Sequence, residues 1–516
     1  MKKYNIINNI LGWCCFVVAA VTYLLTIEPT ASFWDCPEFI SQGAKLEVGH
    51  PPGNPIFMLA ARFFVTLFGN SMANAAVAVN SMSALLSAGT ILLLFWTITH
   101  LIRRLIVRDD ATEIAPWKMF LIFAGGVCGS LAYTWSDTFW FSAVEGEVYA
   151  FSSFCTALVF WLILKWENRA DRPHSDRYLI LIAYVIGVSI AVHLLNLLCI
   201  PAIVLVYYYR KYKNVNAKGS LIALAVSFVI VALILFGLVP GFVKVAQWFE
   251  LFFVNGLGMH YNMGVLFYTI FLVAAFIWAI VELNKPRKSP GAIKFSFSLA
   301  IALSGMLFIG NWFIGLLLVA ALLVYVYGFC KQIPVRVFNV IALSVFLIFV
   351  GYSSYALLLI RSNANTPMNQ NAPDNVFTLG SYLNREQYGE TPLLYGATFG
   401  EELAIQNVGS EDQPYYVVAV DRSGIPQTTI LDGVLRDENG APYSDPKMTY
   451  RKIVKTSDKQ ADKYVETISN PNYGEIPGLK MLLPRIYSNN PAHVSGYKGW
   501  SGYSIEDLRN IPAEVR

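Results

Sequence analysis

Long apolar stretches separated by short polar connections dominate residues 6–360 of the chain. A helix needs about 20 apolar residues to cross the hydrocarbon core of a bilayer, and most of these stretches have that length. The pattern predicts a polytopic α-helical membrane protein with about eleven transmembrane helices. The stretches lie at residues 6–27, 75–101, 118–136, 148–166, 178–193, 196–209, 219–240, 264–283, 295–310, 312–329 and 337–360.

Three apolar regions depart from this simple pattern. Residues 178–209 form one run flanked by basic clusters, so a tight helical hairpin that turns at His193–Asn196 is predicted. The same argument predicts a hairpin within 295–329, turning around Gly310 and Asn311. Residues 56–69 are too short to span, and a helix at the interface or tucked against the bundle is expected, with Arg62 snorkelling towards water.

Composition supports a membrane protein, because hydrophobic residues make up 55% of the chain and charged residues only 14%. Soluble domains carry about 25% charged residues. The Lys/Arg clusters of the membrane part fall in alternate connections, which predicts a cytoplasmic N-terminus. A net charge of +4 is too small and scattered to indicate nucleic acid as a partner. None of the seven cysteines forms a C-x-x-C pair, so neither a disulfide framework nor a structural zinc site is expected; no cofactor is expected, and a divalent metal stays open.

Residues 361–516 have ordinary polarity and predict a soluble α+β domain outside the membrane domain 1–360. Strands are expected at 393–396 and 415–420, and a surface helix at 457–468. Charge places this domain on the extracytoplasmic side. It has no Asn-x-Ser/Thr site, which favours a bacterial inner membrane and periplasm over an endoplasmic reticulum.

The longest external loop, residues 28–74, carries acids in aromatic surroundings. Asp35 and Glu38 are three residues apart, so a helical turn places both on one face, directly after Phe33 and Trp34. Carboxylates held in a partly dry site have tunable pKa values, as a general base requires. The competing interpretation is a solvated loop in which Asp35 caps a helix.

A second group of polar residues is predicted on the same face of the membrane. Glu145 and Glu147 open a helix, where they either complement its dipole or serve a site. His193 and Asn196 are polar in an apolar hairpin, where they either line a site or satisfy backbone groups of the turn. Arg361 either anchors the last helix or binds a lipid phosphate.

Several of these motifs together resemble one family. The combination of Phe33–Ile40, Gly49–Pro55, Ser142–Tyr149, His193–Asn196 and Pro484–Ser488 is similar to that in protein O-mannosyltransferase-like enzymes. These enzymes are class C (GT-C) glycosyltransferases, and the resembling group comprises a bacterial domain of unknown function and an animal transmembrane O-mannosyltransferase. The resemblance spans most of residues 1–375.

The resemblance implies a GT-C-like bundle and a sugar transfer with inversion from a polyprenyl-phosphate donor to an acceptor hydroxyl. The acceptor is expected to be a protein or a glycan, with protein favoured, and mannose is the expected sugar. Asp35 best matches the family's catalytic base, and Glu38 is second. Because Cys36 and Pro37 separate them, whereas many members carry adjacent acids, either can be the base. The expected residues for binding donor or substrate are His50, Asn54, Glu145, Glu147, His193, Asn196 and Arg361.

Other interpretations of the sequence stay open at this point. A transporter or flippase of a lipid-linked substrate would need midplane charges, broken helices and repeats, few of which are present. A structural subunit without catalysis is the third possibility. Many members of the family are longer, so the chain is expected to be either a fragment or a short member.

Overall fold

The computed structural model describes residues 2–107, 113–310, 312–388, 394–399, 419–420, 426–427, 447–453, 457, 460–470, 480–488 and 490–502. The chain divides into two compact units. The first comprises residues 1–246 and 266–384, and the second comprises 247–265 and 385–516. Every predicted site residue lies in the first unit.

The helices of residues 2–384 begin and end close to the predicted apolar stretches. They are α1 (Lys2–Leu25), α2 (Cys36–Lys45), α3 (Pro55–Leu67), α4 (Ala75–Ile106), α5 (Pro116–Thr134), α6 (Asp137–Ala143), α7 (Val148–Glu167), α8 (Arg177–Ile190), α9 (Ile200–Lys211), α10 (Ala217–Ala232), α11 (Val239–Leu251), α12 (Met263–Asn284), α13 (Pro290–Leu303), α14 (Trp312–Leu323), α15 (Val335–Tyr352), α16 (Ala356–Asn363) and α17 (Val376–Leu383).

Within the described residues, eight helical segments are long and apolar enough to cross a membrane. A ninth results if α5 and α6, which are bent by 67°, form one span. A total of eleven would also require the 14-residue helices α8 and α13 to cross, so the predicted number is not confirmed. The chain is nevertheless a multi-pass membrane protein by the length and composition of its helices.

Both predicted breaks in long apolar runs are present. After α8, a 3-10 turn at Leu194–Cys199 leads into α9, so the break falls at His193 as expected. The chain also leaves helical structure between α13 and α14, although Asn311 lies outside the described residues. A helix can end within an apolar run when nearby polar groups satisfy the freed backbone.

The first unit is organised around α4, which packs against α1, α5 and α7. Small residues such as Ala84 and Ala88 are fully buried on α4 and allow these helices to approach closely. Helices α8 and α15 form another close pair. A Cβ added to Gly187 would lie 2.4 Å from the carbonyl oxygen of Ile348, so a larger residue would force these two helices apart.

Helices α2 and α3 are fixed to this bundle by an apolar cluster. Phe39 and Ile40 of α2 and Phe57 of α3 pack with Met82 of α4 and with Val148 of α7. Helix α3 is therefore tucked against the bundle, as predicted. The expectation that Arg62 snorkels is wrong, because its Nη1 donates a hydrogen bond to the carbonyl oxygen of Ala44 at the end of α2.

The second unit contains three two-stranded antiparallel sheets within the described residues. Their pairs are β1 (Tyr395–Ala397) with β6 (Lys480–Leu482), β2 (Ala419–Val420) with β3 (Pro426–Gln427), and β4 (Lys447–Lys452) with β5 (Tyr464–Asn470). Helix α18 (Pro491–Ser501) follows. The predicted strand at 393–396 corresponds to β1, and the end of 415–420 to β2; residues 393 and 415–418 lie outside the described residues.

The predicted helix at 457–468 is wrong in its described part. Residues 464–468 belong to β5, and 460–463 are not helical; residues 458 and 459 lie outside the described residues. The β-branched residues Val465 and Thr467 suit a strand, and Tyr464 is buried with its hydroxyl donating to Glu250 at 3.0 Å. This tertiary contact outweighs the local helical pattern of charged and apolar residues.

Candidate active site

Asp35 stands at the exposed start of α2. Pro37 lies in the first turn of this helix, where the absence of an N–H has no cost. Asp35 occupies the N-cap position, but its side chain makes no capping hydrogen bond and is 56% exposed. The interpretation of Asp35 as a side-chain helix cap is therefore wrong. Its neighbours Phe33 and Trp34 are also exposed, so the carboxylate stands beside apolar surface.

Unlike Asp35, Glu38 is held in place by several hydrogen bonds. Its Oε1 accepts from the backbone N–H of His50 at 2.7 Å and from Gln42 Nε2 at 2.8 Å, and His50 Nδ1 lies 2.8 Å away. Its Oε2 accepts from Gln370 Nε2 at 3.2 Å. Burial raises the pKa of Glu38, but the hydrogen bonds from His50 outweigh this, so its pKa lies below the usual value.

His50 joins the two first-loop acids. Because the ionised Glu38 can only accept hydrogen bonds, the Nδ1 of His50 must carry the proton between them. The other ring nitrogen, Nε2, then faces Asp35 Oδ2 at 4.0 Å. The three side chains form a row, Glu38–His50–Asp35, in which the partly buried Glu38 orients the imidazole and the more exposed Asp35 lies at the other end.

Residues from the end of the first unit fix the His50 loop. The hydroxyl of Tyr382 donates to the carbonyl oxygens of Gly49 and His50, at 2.6 and 3.1 Å. Val48 pairs with residues 368–370 through two backbone hydrogen bonds. A Cβ on Gly49 would clash with Gln42 Nε2 and Glu38 Oε1, so a larger residue would displace these side chains and disturb the Glu38–His50 contact.

Two buried acids, Glu145 and Glu147, lie at the same site. Glu147 is 6% exposed, and its Oε2 accepts from the N–H of Val148 at 3.0 Å, so it caps α7 as the dipole interpretation predicts. Burial, together with the neighbouring carboxylates of Asp35 and Glu145, raises its pKa to about 7, despite the opposing hydrogen bond from the N–H of Val148. Glu147 is therefore also a group that exchanges protons near neutral pH.

Glu145 is 5% exposed and contacts the start of α2. Burial raises its pKa above the usual value, although hydrogen bonds from Ser32 and Cys36 offset part of this effect. Burial and the nearby acids Glu145 and Glu147 in turn raise the pKa of the Cys36 thiol. The thiol therefore stays protonated and serves as a hydrogen-bond donor to Glu145. All seven cysteines of the chain are free.

His193 and Asn196 lie at the break between α8 and α9, beside the start of α7. His193 Nδ1 accepts from the N–H of Leu195 at 3.2 Å, and its ring lies 5.4 Å from that of Tyr149. Part of its role is therefore to satisfy the turn. Asn196 is 1% exposed, and neither atom of its amide has a hydrogen-bond partner in the described part of the chain. An unpaired buried amide is costly, which makes it a candidate ligand contact.

The remaining predicted residues are Asn54 and Arg361. Asn54 precedes α3 and is 5% exposed, and its Nδ2 has no partner within the described residues. Arg361 donates to two carbonyl oxygens at the C-terminal end of α2, those of Leu46 at 2.7 Å and Lys45 at 3.2 Å. In this structure Arg361 thus holds the helix that carries the acids. Its proposed contact with a lipid phosphate stays a prediction.

An apolar groove of about 680 Å³ runs along α4, α5, α7 and the 3-10 turn. It is lined by Ser152 and Thr156 of α7 and by Leu195 and Leu198, which are exposed. The hydroxyl of Ser152 is buried and has no partner among the described residues. Since Ser152 lies about one turn after Val148, the groove begins close to the Glu147 end of α7.

The sequence did not reveal several residues that complete the site. Gln42 was detectable in principle, since it lies four residues after Glu38 on one helix face. Ser32, Gln370 and Tyr382 carry no local signal, because only the tertiary fold brings them to the first loop. Among the described residues, no three His, Cys, Asp or Glu side chains are arranged to hold a metal ion.

Comparison with protein families gives two matches. Residues 35–216 match the N-terminal domain of protein O-mannosyl-transferase TMEM260, a segment that begins at Asp35 and includes all predicted site residues except Arg361. Residues 428–512 match a family of unknown function, DUF8416. No solved structure matches the chain.

Two curated relatives support the first match. The mouse protein O-mannosyl-transferase TMEM260 is 24% identical over 175 residues, which cover 34% of this chain and 22% of the relative. The Dictyostelium discoideum protein of the same name is 23% identical over 205 residues, 38% of this chain and 22% of the relative. The chain thus aligns with about a fifth of each relative's length. Its first unit is accordingly related, over residues 35–216, to the TMEM260-type protein O-mannosyl-transferases, as its motifs predicted.

Proposed function

We propose that this chain is a membrane glycosyltransferase that transfers a sugar, expected to be mannose, from a polyprenyl-phosphate donor to a hydroxyl of a protein. The observation that carries the proposal is the difference between the two first-loop acids. The side chain of Asp35 is 56% exposed and makes no capping hydrogen bond, whereas Glu38 is only partly exposed and its oxygens are occupied by hydrogen bonds. The relatives' printed activity, protein O-mannosyl transfer, supports this chemistry.

Asp35 is the proposed catalytic base. Its carboxylate removes the proton of the acceptor hydroxyl while the hydroxyl oxygen attacks the anomeric carbon of the sugar. The bond between that carbon and the phosphate oxygen breaks, and its electron pair leaves with the polyprenyl phosphate. Attack opposite to the leaving group inverts the configuration. General base catalysis of this kind contributes about 10²- to 10⁴-fold to the rate.

The other acids and His50 support that step. Glu38 is a positioning residue, because it fixes the ring of His50 through Nδ1. A protonated Glu147 lowers the negative charge beside Asp35 and so favours approach of an anionic donor. The apolar groove beside α7 has the surface chemistry that an isoprenoid chain requires. Among the described residues, the Asn196 amide and the Nδ2 of Asn54 have no partners, so both are available to the phosphate or the sugar.

The proposal places the site outside the cytoplasm of a bacterial inner membrane. The basic connections of the membrane part lie at the ends of the helices opposite to the acids, as in Arg103 and Arg104 at the end of α4. A cysteine-labelling experiment tests this orientation. A membrane-impermeant thiol reagent is expected to label a cysteine introduced at Ser71 in intact cells and to leave one introduced at Lys213 unlabelled, in a background without native cysteines.

The transfer reaction tests the activity. Purified protein in lipid nanodiscs is incubated with a radiolabelled polyprenyl-phosphate mannose and a serine- and threonine-rich peptide. We expect label in the peptide and an inverted anomeric configuration in the product by NMR. Transfer with retained configuration would contradict the mechanism, and no transfer with any polyprenyl-phosphate hexose would contradict the function.

A further inference from the structure

A second polar cavity lies at the other end of the helices that carry the acids. It has a volume of about 140 Å³ and lies between the start of α1, the end of α4 and the end of α7. Lys165 is 17 residues after Val148 on α7, which corresponds to about 26 Å along the helix axis. The cavity is therefore separate from the site around Asp35. We name it the basic pocket and define it by Asn8, Trp96, His100, Arg103, Lys165 and Asn168.

The cations of the basic pocket lack carboxylate partners. Within the described residues, Arg103 and Lys165 form no ion pair and instead lie over aromatic rings, Arg103 over Tyr4 at 5.5 Å and Lys165 over Trp161 at 4.6 Å. Among the described residues, the carboxylate of Glu167 lies nearby and is engaged by Arg104 at 2.8 Å and by His100 at 3.3 Å. The described side chains thus leave an excess of positive charge in a partly buried polar cavity.

Polar atoms without partners also lie at this cavity. The indole Nε1 of Trp96 and the Oδ1 of Asn8 are buried and have no hydrogen-bond partner among the described residues. A Cβ on Gly12 would lie 2.7 Å from Trp96 Nε1, so this glycine keeps the space beside the indole N–H open. A buried donor without a partner is costly, which an acceptor bound in the pocket would relieve.

We propose that the basic pocket binds a phosphate group, with the headgroup of an anionic phospholipid as its expected source. Arg103 and Lys165 supply the charge and Trp96 supplies a hydrogen bond to a phosphate oxygen. Basic pockets between transmembrane helices on the side rich in Lys and Arg are suited to such headgroups. The Asn8 Oδ1 is then available to a hydroxyl of the headgroup. This site is independent of the sugar transfer.

The test compares lipid binding by variants with equal loss of charge. R103Q/K165Q removes both pocket cations, whereas K213Q/K331Q removes two exposed cations that do not line the pocket. Binding of short-chain phosphatidylglycerol to the full chain in neutral detergent is measured by native mass spectrometry and by the shift in Tm. We expect R103Q/K165Q to weaken binding roughly tenfold or more, and K213Q/K331Q to bind like the unchanged protein.

A third variant keeps the result interpretable if the double variant does not fold. W96F retains the ring and both cations but removes the N–H donor, and binding severalfold weaker than in the unchanged protein is expected. A parallel titration with inorganic phosphate identifies the source. Protection by phosphate alone that is lost in R103Q/K165Q supports the site with a free anion as its ligand. Equal loss in both double variants, or no binding of either probe, would overturn the proposal.

Discussion

One oxygen of Glu38 receives both the backbone N–H and the ring N–H of His50, at 2.7 and 2.8 Å. A carboxylate bound twice by the same residue fixes both the backbone position and the ring orientation of that residue. The acid with the stronger hydrogen bonds is therefore the one with less freedom to accept another proton. This relationship separates the roles of two acids that the sequence alone left equivalent.

Replacement of Asp35 by Asn tests the catalytic base. D35N keeps the size of the side chain but removes its ability to accept a proton, so kcat for sugar transfer is expected to fall about 10²- to 10⁴-fold. The measurement is label transfer in nanodiscs at saturating donor. The matched control is D137N, at the exposed start of α6, which is expected to retain full activity. Equal activity in D35N and the unchanged protein would exclude Asp35 as the base.

Replacement of Glu38 by Gln tests a positioning role. E38Q loses a charged acceptor of several hydrogen bonds and is expected to destabilise the protein by about 1 to 3 kcal/mol at pH 7. Because the pKa of Glu38 is lowered by folding, its stabilisation is present above the unfolded pKa and disappears as pH falls through the folded pKa. The difference in Tm between E38Q and the unchanged protein should therefore shrink below about pH 4. A difference that grows with acidity would contradict this role.

Glu147 is expected to show the opposite dependence on pH. Folding raises its pKa to about 7, so the folded state favours the protonated form, and stability falls as pH rises from the unfolded pKa, near 4.5, to about 7. E147Q removes this dependence. Its Tm relative to the unchanged protein should rise between pH 5 and pH 8, and the inflection near pH 7 in the rate of transfer should be absent. Parallel Tm curves across this range would show that Glu147 titrates normally.

Gly49 tests how closely the first loop must pack. G49A places a methyl group against Gln42 and Glu38, so the Glu38–His50 contact must open, and a loss of activity similar to that of E38Q is expected. G291A is the control, since a Cβ at Gly291 meets no atom within 4 Å. Transfer assays and Tm are measured for both. Unchanged activity in G49A would show that the contact is not needed for catalysis.

Replacement of Asn196 by Leu tests whether its amide serves ligand binding or stability. N196L replaces a buried amide that has no partner among the described residues with an apolar side chain of similar size. It is expected to stabilise the protein without donor by about 1 to 3 kcal/mol and to raise KM for the donor. If N196L instead lowers Tm and leaves KM unchanged, the amide has a structural partner and is not a donor contact.

The sequence predicted those features that depend on local pattern. Apolar length placed α1, α4, α7 and α12, and the His193 break followed from the charges at both ends of one apolar run. The features that the sequence did not predict depend on tertiary contacts. Arg62 was expected to snorkel towards water, yet it donates to the carbonyl oxygen of Ala44 in α2. For Arg361 the sequence left an anchoring role and a lipid phosphate open, and its hydrogen bond to the carbonyl oxygen of Leu46, just after α2, could not be foreseen. Strand β5 was missed because its partner and the acid Glu250 lie elsewhere in the chain.

The sequence predicted the acids of the candidate site but not the residues that hold them in place. Asp35, Glu38, His50, Glu145 and Glu147 do come together. Their roles could not be ranked without burial and hydrogen bonds. Gln370 and Tyr382 contact the site from more than 330 residues away, which no local pattern can indicate.

The link between Arg361 and Leu46 joins residues that are 315 positions apart. A ten-residue helix such as α2 has little stability by itself, so its orientation depends on these late partners. A nascent chain that has not reached Arg361 and Tyr382 contains all four acids of the site but lacks the residues that arrange them. The acid site can therefore assemble only after synthesis has passed Tyr382.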